Sequence, residues 1–308
     1  MANSIRRRFF LSRRSLGQRL TIALILQSLI LGTLSYRNLS PLQPIHQRQI
    51  TGATRRTTTE KVVISSMNAK TTRQIFVRSH SDKRFRSHNP TSDLARIERE
   101  INSLTTDLNN EINLPLDIYI SYESCDYPDV FYDQDRRQVT ICYELFDDLT
   151  DLFSRHIHRR RELREAVDNT IASVFLHEVS HAFIDVLRLP ITGREEDAAD
   201  QFSILTLMNT SGGERKALFV ASAYHILAKS KRREEPAFWD EHSLDAQRYY
   251  ATLCLIYGRD PAKYAYLVRK GTLPEERAEL CEEDYERIEN AWRTLLKPYS
   301  KTLLWARR

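Results

Sequence analysis

Residues 177 to 200 read HEVSHAFIDVLRLPITGREEDAAD. Two histidines stand four apart, Glu178 follows the first, Pro190 interrupts, and a burst of acids closes the stretch. On an α-helix a four-residue step leaves a net offset of about 40° and a rise of about 6 Å, so His177 and His181 project from one face. Glu178 sits one step round. This arrangement offers two imidazoles to one Zn²⁺ while a carboxylate reaches water on the same ion. Ile171, Val174, Phe175, Ala182 and Phe183 surround the histidines and point to a buried helix.

A site of this kind needs a third ligand, and the acids after Pro190 supply candidates. Thr192 and Glu195 match the Ser/Thr-x-x-Glu capping box, which assigns Glu195 to capping the next helix. Glu196 and Asp200 then stand four apart on one face and resemble the E-x-x-x-D pattern of gluzincin-type sites, which implies Glu196 as metal ligand and Asp200 as the carboxylate that orients a ligand histidine. Asp197 and Glu195 are lesser candidates for the metal. The plain structural alternative is a surface helix whose acidic first turn suits its dipole. One more donor usually stabilises the oxyanion of an acyl-transfer intermediate. FWDEHSLDAQRYY, residues 238 to 250, holds the candidates His242, Arg248 and Tyr249, with His242 taken as the catalytic one. An ordinary structural histidine is an equal reading of His242. His156 and His158 lie in a basic run that repels a cation, and read as a solvated helix end.

Around this core the pattern is α+β, a small N-terminal sheet followed by helices. Residues 93 to 110 space Leu94, Ile97, Ile101 and Leu104 at helical intervals. Leu116, Ile118 and Ile120, then Val139, Ile141 and Tyr143, alternate as strands, with turn chemistry between them. Helical patterns follow over 146 to 158, 162 to 187, 195 to 209, 213 to 230, 243 to 257 and 275 to 296, divided by prolines and glycines.

The formal charge of +5 hides an asymmetry: residues 1 to 92 hold 17 basic residues against two acids, so the remainder is strongly acidic. Six arginines precede LTIALILQSLILGTLSY, residues 20 to 36, which carries no charge. Residues 1 to 36 therefore read as a signal or membrane anchor, the uncleaved anchor favoured because no A-x-A site follows, with organelle targeting as the alternative. Residues 37 to 92 are rich in Arg, Ser, Thr and Gln and read as a disordered basic linker. No nucleic-acid partner is expected, since no aromatics interleave the charges. The folded domain is placed at 93 to 308.

Four cysteines fall as two sequence-local pairs, none in C-x-x-C spacing. Local pairing, Cys125 with Cys142 and Cys254 with Cys281, is preferred among the three possible pairings and agrees with export. Four free thiols in a reducing compartment is the competing reading.

FLHEVSHAFID, LPITGREEDAADQF, EHSLDAQRYY, CLIYGRDP and LPEERAELC together resemble the metallopeptidase family catalogued as domain of unknown function 4344, over roughly residues 93 to 299. ESCDYPDVFYD and TICYEL, which hold the first cysteine pair, look like the family's own. The resemblance implies a zincin-like fold of the gluzincin type, with His177, His181 and Glu196 as zinc ligands and Glu178 as base. It supplies no substrate beyond peptide or protein. The expected function is thus a zinc-dependent peptidase using one Zn²⁺, membrane-anchored or exported. The alternative is a non-catalytic zinc-binding or interaction domain, which would fill all four coordination positions with protein ligands.

Overall fold

The computed structural model describes residues 73–78, 93–230, 236–302 and 305, all within one compact unit, Asn68–Arg308. The expected anchor at 1 to 36 and most of the basic stretch at 37 to 92 lie outside the described residues.

The architecture is α+β. Strands β1 (Ile75–Arg78), β2 (Ile118–Glu123), β3 (Val130–Asp133) and β4 (Gln138–Cys142) form one sheet in the order β1-β2-β4-β3. β1, β2 and β4 run parallel, and β3 returns antiparallel on the outer side of β4, with Val130 opposite Ile141 and Tyr132 opposite Val139. The helices are α1 (Asp93–Glu111), α2 (Glu144–Ser154), α3 (Arg160–Leu187), α4 (Glu195–Met208), α5 (Gly213–Ser230), α6 (Asp245–Arg259), α7 (Pro261–Arg269), α8 (Glu275–Ala278) and α9 (Cys281–Leu296).

Ile118, Ile120, Val139 and Ile141 are fully buried, which is why their alternation was visible as strand. The other two strands depart from expectation. β1 falls inside the stretch read as linker, so the domain begins before residue 93. Four residues in a polar context bury too little to be strand alone, and β1 is made by its partners. Its Ile75 is buried, and the Asn109 side chain of α1 meets Ile75 like a neighbouring strand, accepting its N–H at 2.8 Å and donating to its carbonyl at 2.9 Å. β3 occupies residues read as turn; the turn proper is 134 to 137, where Arg137 takes a left-handed φ of 49°.

Helix α3 runs through the centre, against α1, α2, α4, α5 and strands β3 and β4. By length and composition it could cross a membrane, but 78% of its apolar window is buried inside the fold, which makes it a core helix. It ends where Arg188 adopts the left-handed conformation as C-cap, with φ 51° and ψ 50°. Helix α7 was not anticipated, although its start is written in Asp260-Pro261: Asp260 caps by accepting the Lys263 N–H, and Pro261 has no N–H to waste. The pattern over 275 to 296 resolves into α8 and α9.

Both local cysteine pairs are disulfides, Cys125–Cys142 and Cys254–Cys281. The second ties α6 to α9 where the helices come closest. Gly258 permits that approach, since a Cβ there would collide with the Cys281 carbonyl and with Tyr285. The two bonds accord with an extracytoplasmic location.

Candidate metal centre

The site is built on the helical hairpin of α3 and α4. Seven residues connect them, and the cross-contacts run in opposite order: His181 meets Glu195, His177 meets Glu196 and Asp200, and Ser173 meets Ser203. The last pair fixes the crossing, because the buried Ser203 hydroxyl donates to the Ser173 carbonyl at 2.7 Å.

Each imidazole is held by a carboxylate on its Nδ1. His177 Nδ1 is 2.9 Å from Asp200 Oδ1, and His181 Nδ1 is 2.8 Å from Glu195 Oε1. An Nδ1–H donated to a carboxylate sets the tautomer and leaves the Nε2 lone pair free. Both Nε2 atoms turn to the same point, 3.1 Å apart. Glu196 closes the triangle, with Oε2 2.9 Å from His177 Nε2 and Oε1 3.4 Å from His181 Nε2.

These separations test whether a metal would fit. A tetrahedral ion with bonds of about 2.0–2.1 Å places its ligand atoms roughly 3.3 Å apart. The observed triangle, 2.9 to 3.4 Å on a side, is close to that value. The electrostatics agree. Burial is the largest influence on both rings and opposes charge, yet the surrounding carboxylates outweigh it and raise both imidazoles above their ordinary pKa, His181 to about 9. A spot that draws positive charge between two imidazoles and a carboxylate suits a divalent cation.

The expected capping box is absent. Helix α4 starts at Glu195, with Arg194 as N-cap and no side-chain cap bond, so Thr192 lies too early in the chain. Glu195 is instead drawn across to His181. Asp197 is turned away from the histidines and accepts the Ser243 hydroxyl at 2.6 Å, tying down the loop before α6. Asp200 lies behind His177 as expected, and its second partner is Arg248, whose Nε and Nη2 each donate at 2.7 Å. That guanidinium also lies 4.4 Å over the Tyr224 ring, whose hydroxyl donates to Asp200 at 3.2 Å. Burial alone would raise the Asp200 carboxyl, but His177 and Arg248 hold it well below the usual range.

His242 reaches the cluster from the loop before α6. Its Nε2 is 2.9 Å from Glu196 Oε2, and Asp240 Oδ1 accepts its backbone N–H at 2.8 Å and faces its Nδ1 at 3.3 Å. Sequence reasoning passed over Asp240, although the Asp-x-His spacing could have revealed it. Tyr249 is buried against His225, with ring centroids 4.7 Å apart, and does not line the cleft. Glu178 borders the same space: burial, the leading cause, and nearby Glu196 raise its carboxyl, while the two histidines and the Tyr132 backbone N–H partly offset them. The group opens on a cleft of about 620 Å³ between β3 on one side and Val174, Val220, Ala223 and Leu227 on the other. Glu144 also lies near two sulfurs, but Cys125 and Cys142 are bonded to each other and offer no thiolate.

A family model described as "Putative metallopeptidase", domain of unknown function 4344, matches residues 80–296, more than two thirds of the chain. The chain belongs to that family. The metallopeptidase match contains every residue of the cluster and both disulfides, and it begins upstream of α1, in accord with a domain that starts before residue 93. No curated protein and no solved structure matches the chain.

Proposed function

We propose that this metallopeptidase-family chain is a zinc-dependent peptidase of zincin-like fold, cleaving peptide bonds outside the cytoplasm and held at the membrane by residues 1 to 36. The observation that carries the reading is the convergence of His177 Nε2, His181 Nε2 and the Glu196 carboxylate within 3.4 Å, each imidazole oriented from behind by a carboxylate. In that donor set Zn²⁺ would supply Lewis acidity, polarising a carbonyl oxygen and bringing the pKa of water toward neutrality.

The chain's own groups supply the rest. Glu178, with its carboxyl raised by burial, is the general base that takes the proton of the attacking water and hands it to the leaving amine. His242, kept above its ordinary pKa mainly by its contact with Glu196 and steadied by Asp240, is the donor to the developing oxyanion. Asp200 and Arg248 fix His177, and the cleft admits an extended substrate.

A second reading rests on His242. Its Nε2 belongs with His177 and Glu196 to a set of donors within 4.8 Å, so it could close the site as a fourth ligand and leave a structural ion. Metal analysis of the full chain decides between them. The peptidase reading expects one zinc per chain in wild type, none in His177→Ala, zinc retained in Glu178→Gln and His242→Ala, and casein cleavage by wild type but not by Glu178→Gln. Loss of zinc in His242→Ala, with no cleavage by wild type, selects the structural ion.

A further inference from the structure

Edge strand β3 is fastened to α3 through one residue. The Tyr132 backbone N–H faces the Glu178 carboxylate in the cleft that both residues line, and the Tyr132 phenol donates to Asp185 Oδ2 at 2.7 Å. Glu178 and Asp185 are seven residues apart on α3, about two full turns, so both lie on the face that meets β3. One residue thus meets the helix at two levels, bonded to it at Asp185 and lying beside it at Glu178.

Asp185 stands where local preference argues against it. It occupies the last turn of α3, where the helix dipole disfavours an anion, and that turn carries no basic residue. An acid set against its local preference marks a position chosen by a tertiary contact. The only side-chain bond that Asp185 makes among those described is to Tyr132. Among the described residues β3 is the outermost strand, paired with β4 on one side alone. The free side of β3 needs another hold wherever its N–H is to be kept in place.

We infer that Tyr132 and Asp185 are positioning residues: their hydrogen bond locks β3 onto α3 so that the Tyr132 N–H holds the Glu178 carboxylate in its working orientation. The inference rests on the proposed role of Glu178 as general base. A base displaced by about 1 Å can cost a factor of about 100 in rate, whereas substrate binding along the rest of the cleft is untouched.

The test uses the zinc-loaded full chain with quenched-fluorescent casein, comparing wild type, Glu178→Gln, Tyr132→Phe, Asp185→Leu, Asp185→Asn and the Tyr132→Phe/Asp185→Leu pair. Hydrogen exchange at the Tyr132 amide and zinc content are read on the same samples. The expected result is kcat lower by about 10- to 100-fold in Tyr132→Phe and in Asp185→Leu, with KM within about twofold, zinc unchanged and the Tyr132 amide deprotected. The pair should lose no more than either single variant, and Asp185→Asn, which keeps an acceptor, should recover most of the rate. Unchanged kcat and amide protection in both single variants overturn the clamp alone, provided that Glu178→Gln is dead. A fall in kcat accompanied by zinc loss or by additive losses in the pair overturns it as well. No turnover by wild type, or full turnover by Glu178→Gln, overturns the peptidase reading and this inference with it.

Discussion

Glu195 lies 2.8 Å from Nδ1 of His181, the nitrogen opposite the one that faces His177 Nε2. Glu196, the next residue, faces the Nε2 atoms instead. Two neighbouring glutamates therefore serve the same pair of histidines from opposite sides, one holding a ring and the other completing the donor triangle. Replacing them should give different results. Glu196→Ala is expected to lose zinc outright, and Glu195→Ala to keep it with affinity weaker by about 10- to 100-fold. Competition against a chromophoric chelator measures both, and equal loss in the two variants would refute the division of roles.

Arg248 and Asp200 form a pair whose side chains are 17% and 19% exposed. Removing Arg248 leaves Asp200 with His177 and the Tyr224 hydroxyl against its charge. Arg248→Ala is expected to destabilise the fold by about 3 kcal/mol, the cost of stranding one member of a largely buried pair. Urea unfolding monitored by circular dichroism gives the figure, and a change below about 1 kcal/mol would place the pair among solvent-screened bridges.

Non-reducing peptide mapping should recover Cys125–Cys142 and Cys254–Cys281 and no other link. The loops they close span 17 and 27 residues. Chain entropy alone then predicts losses of about 3 and about 3.5 kcal/mol when each pair is replaced by serine. Urea midpoints of the two double variants test this; recovery of free thiols from protein purified under oxidising conditions would remove the cysteine argument for export.

Glu144, the first residue of α2, accepts the Ser124 hydroxyl at 2.5 Å and the backbone N–H groups of Cys125 and Asp126 at 3.1 and 3.2 Å. Burial, the largest single influence, would raise its carboxyl, but these bonds outweigh it and the net shift is downward. A depressed folded pKa contributes stability that is fully present above the unfolded value, near 4.5, and is lost as pH falls through the folded value. The melting temperature of wild type should therefore exceed that of Glu144→Gln at pH 7, and the gap should narrow as the pH is lowered from 4.5 through the folded value. A gap that stays constant throughout the acid titration would show that the charge is not its source.

Much of this protein is written in local patterns. The period of 3.6 residues made α3 and α4 legible, and the four-residue steps His177 to His181 and Glu196 to Asp200 fall on one helix face whatever else the chain does. Alternation exposed β2 and β4 because every second residue, Ile118 and Ile120 or Val139 and Ile141, is an apolar core residue, although some of the residues at the other positions are buried too. The short outer strands were not legible: β1 and β3 have four residues each, too few to show a period, and the backbone of β1 is satisfied only by segments far along the chain, as when Asn109 pairs with Ile75. The same limit governed the site. The local signal that assigned Glu195 to a helix cap was outweighed by His181, fourteen residues earlier, and nothing near residue 242 announces that its ring meets Glu196. Sequence by itself determined the α+β class and the face on which two histidines and two acids stand, because these follow from backbone periodicity, and its motifs carried the likeness to the family. Tertiary structure alone decided which carboxylate turns to which nitrogen, and that an edge strand lies across Glu178, because those contacts depend on how helices and strands pack once the core is buried.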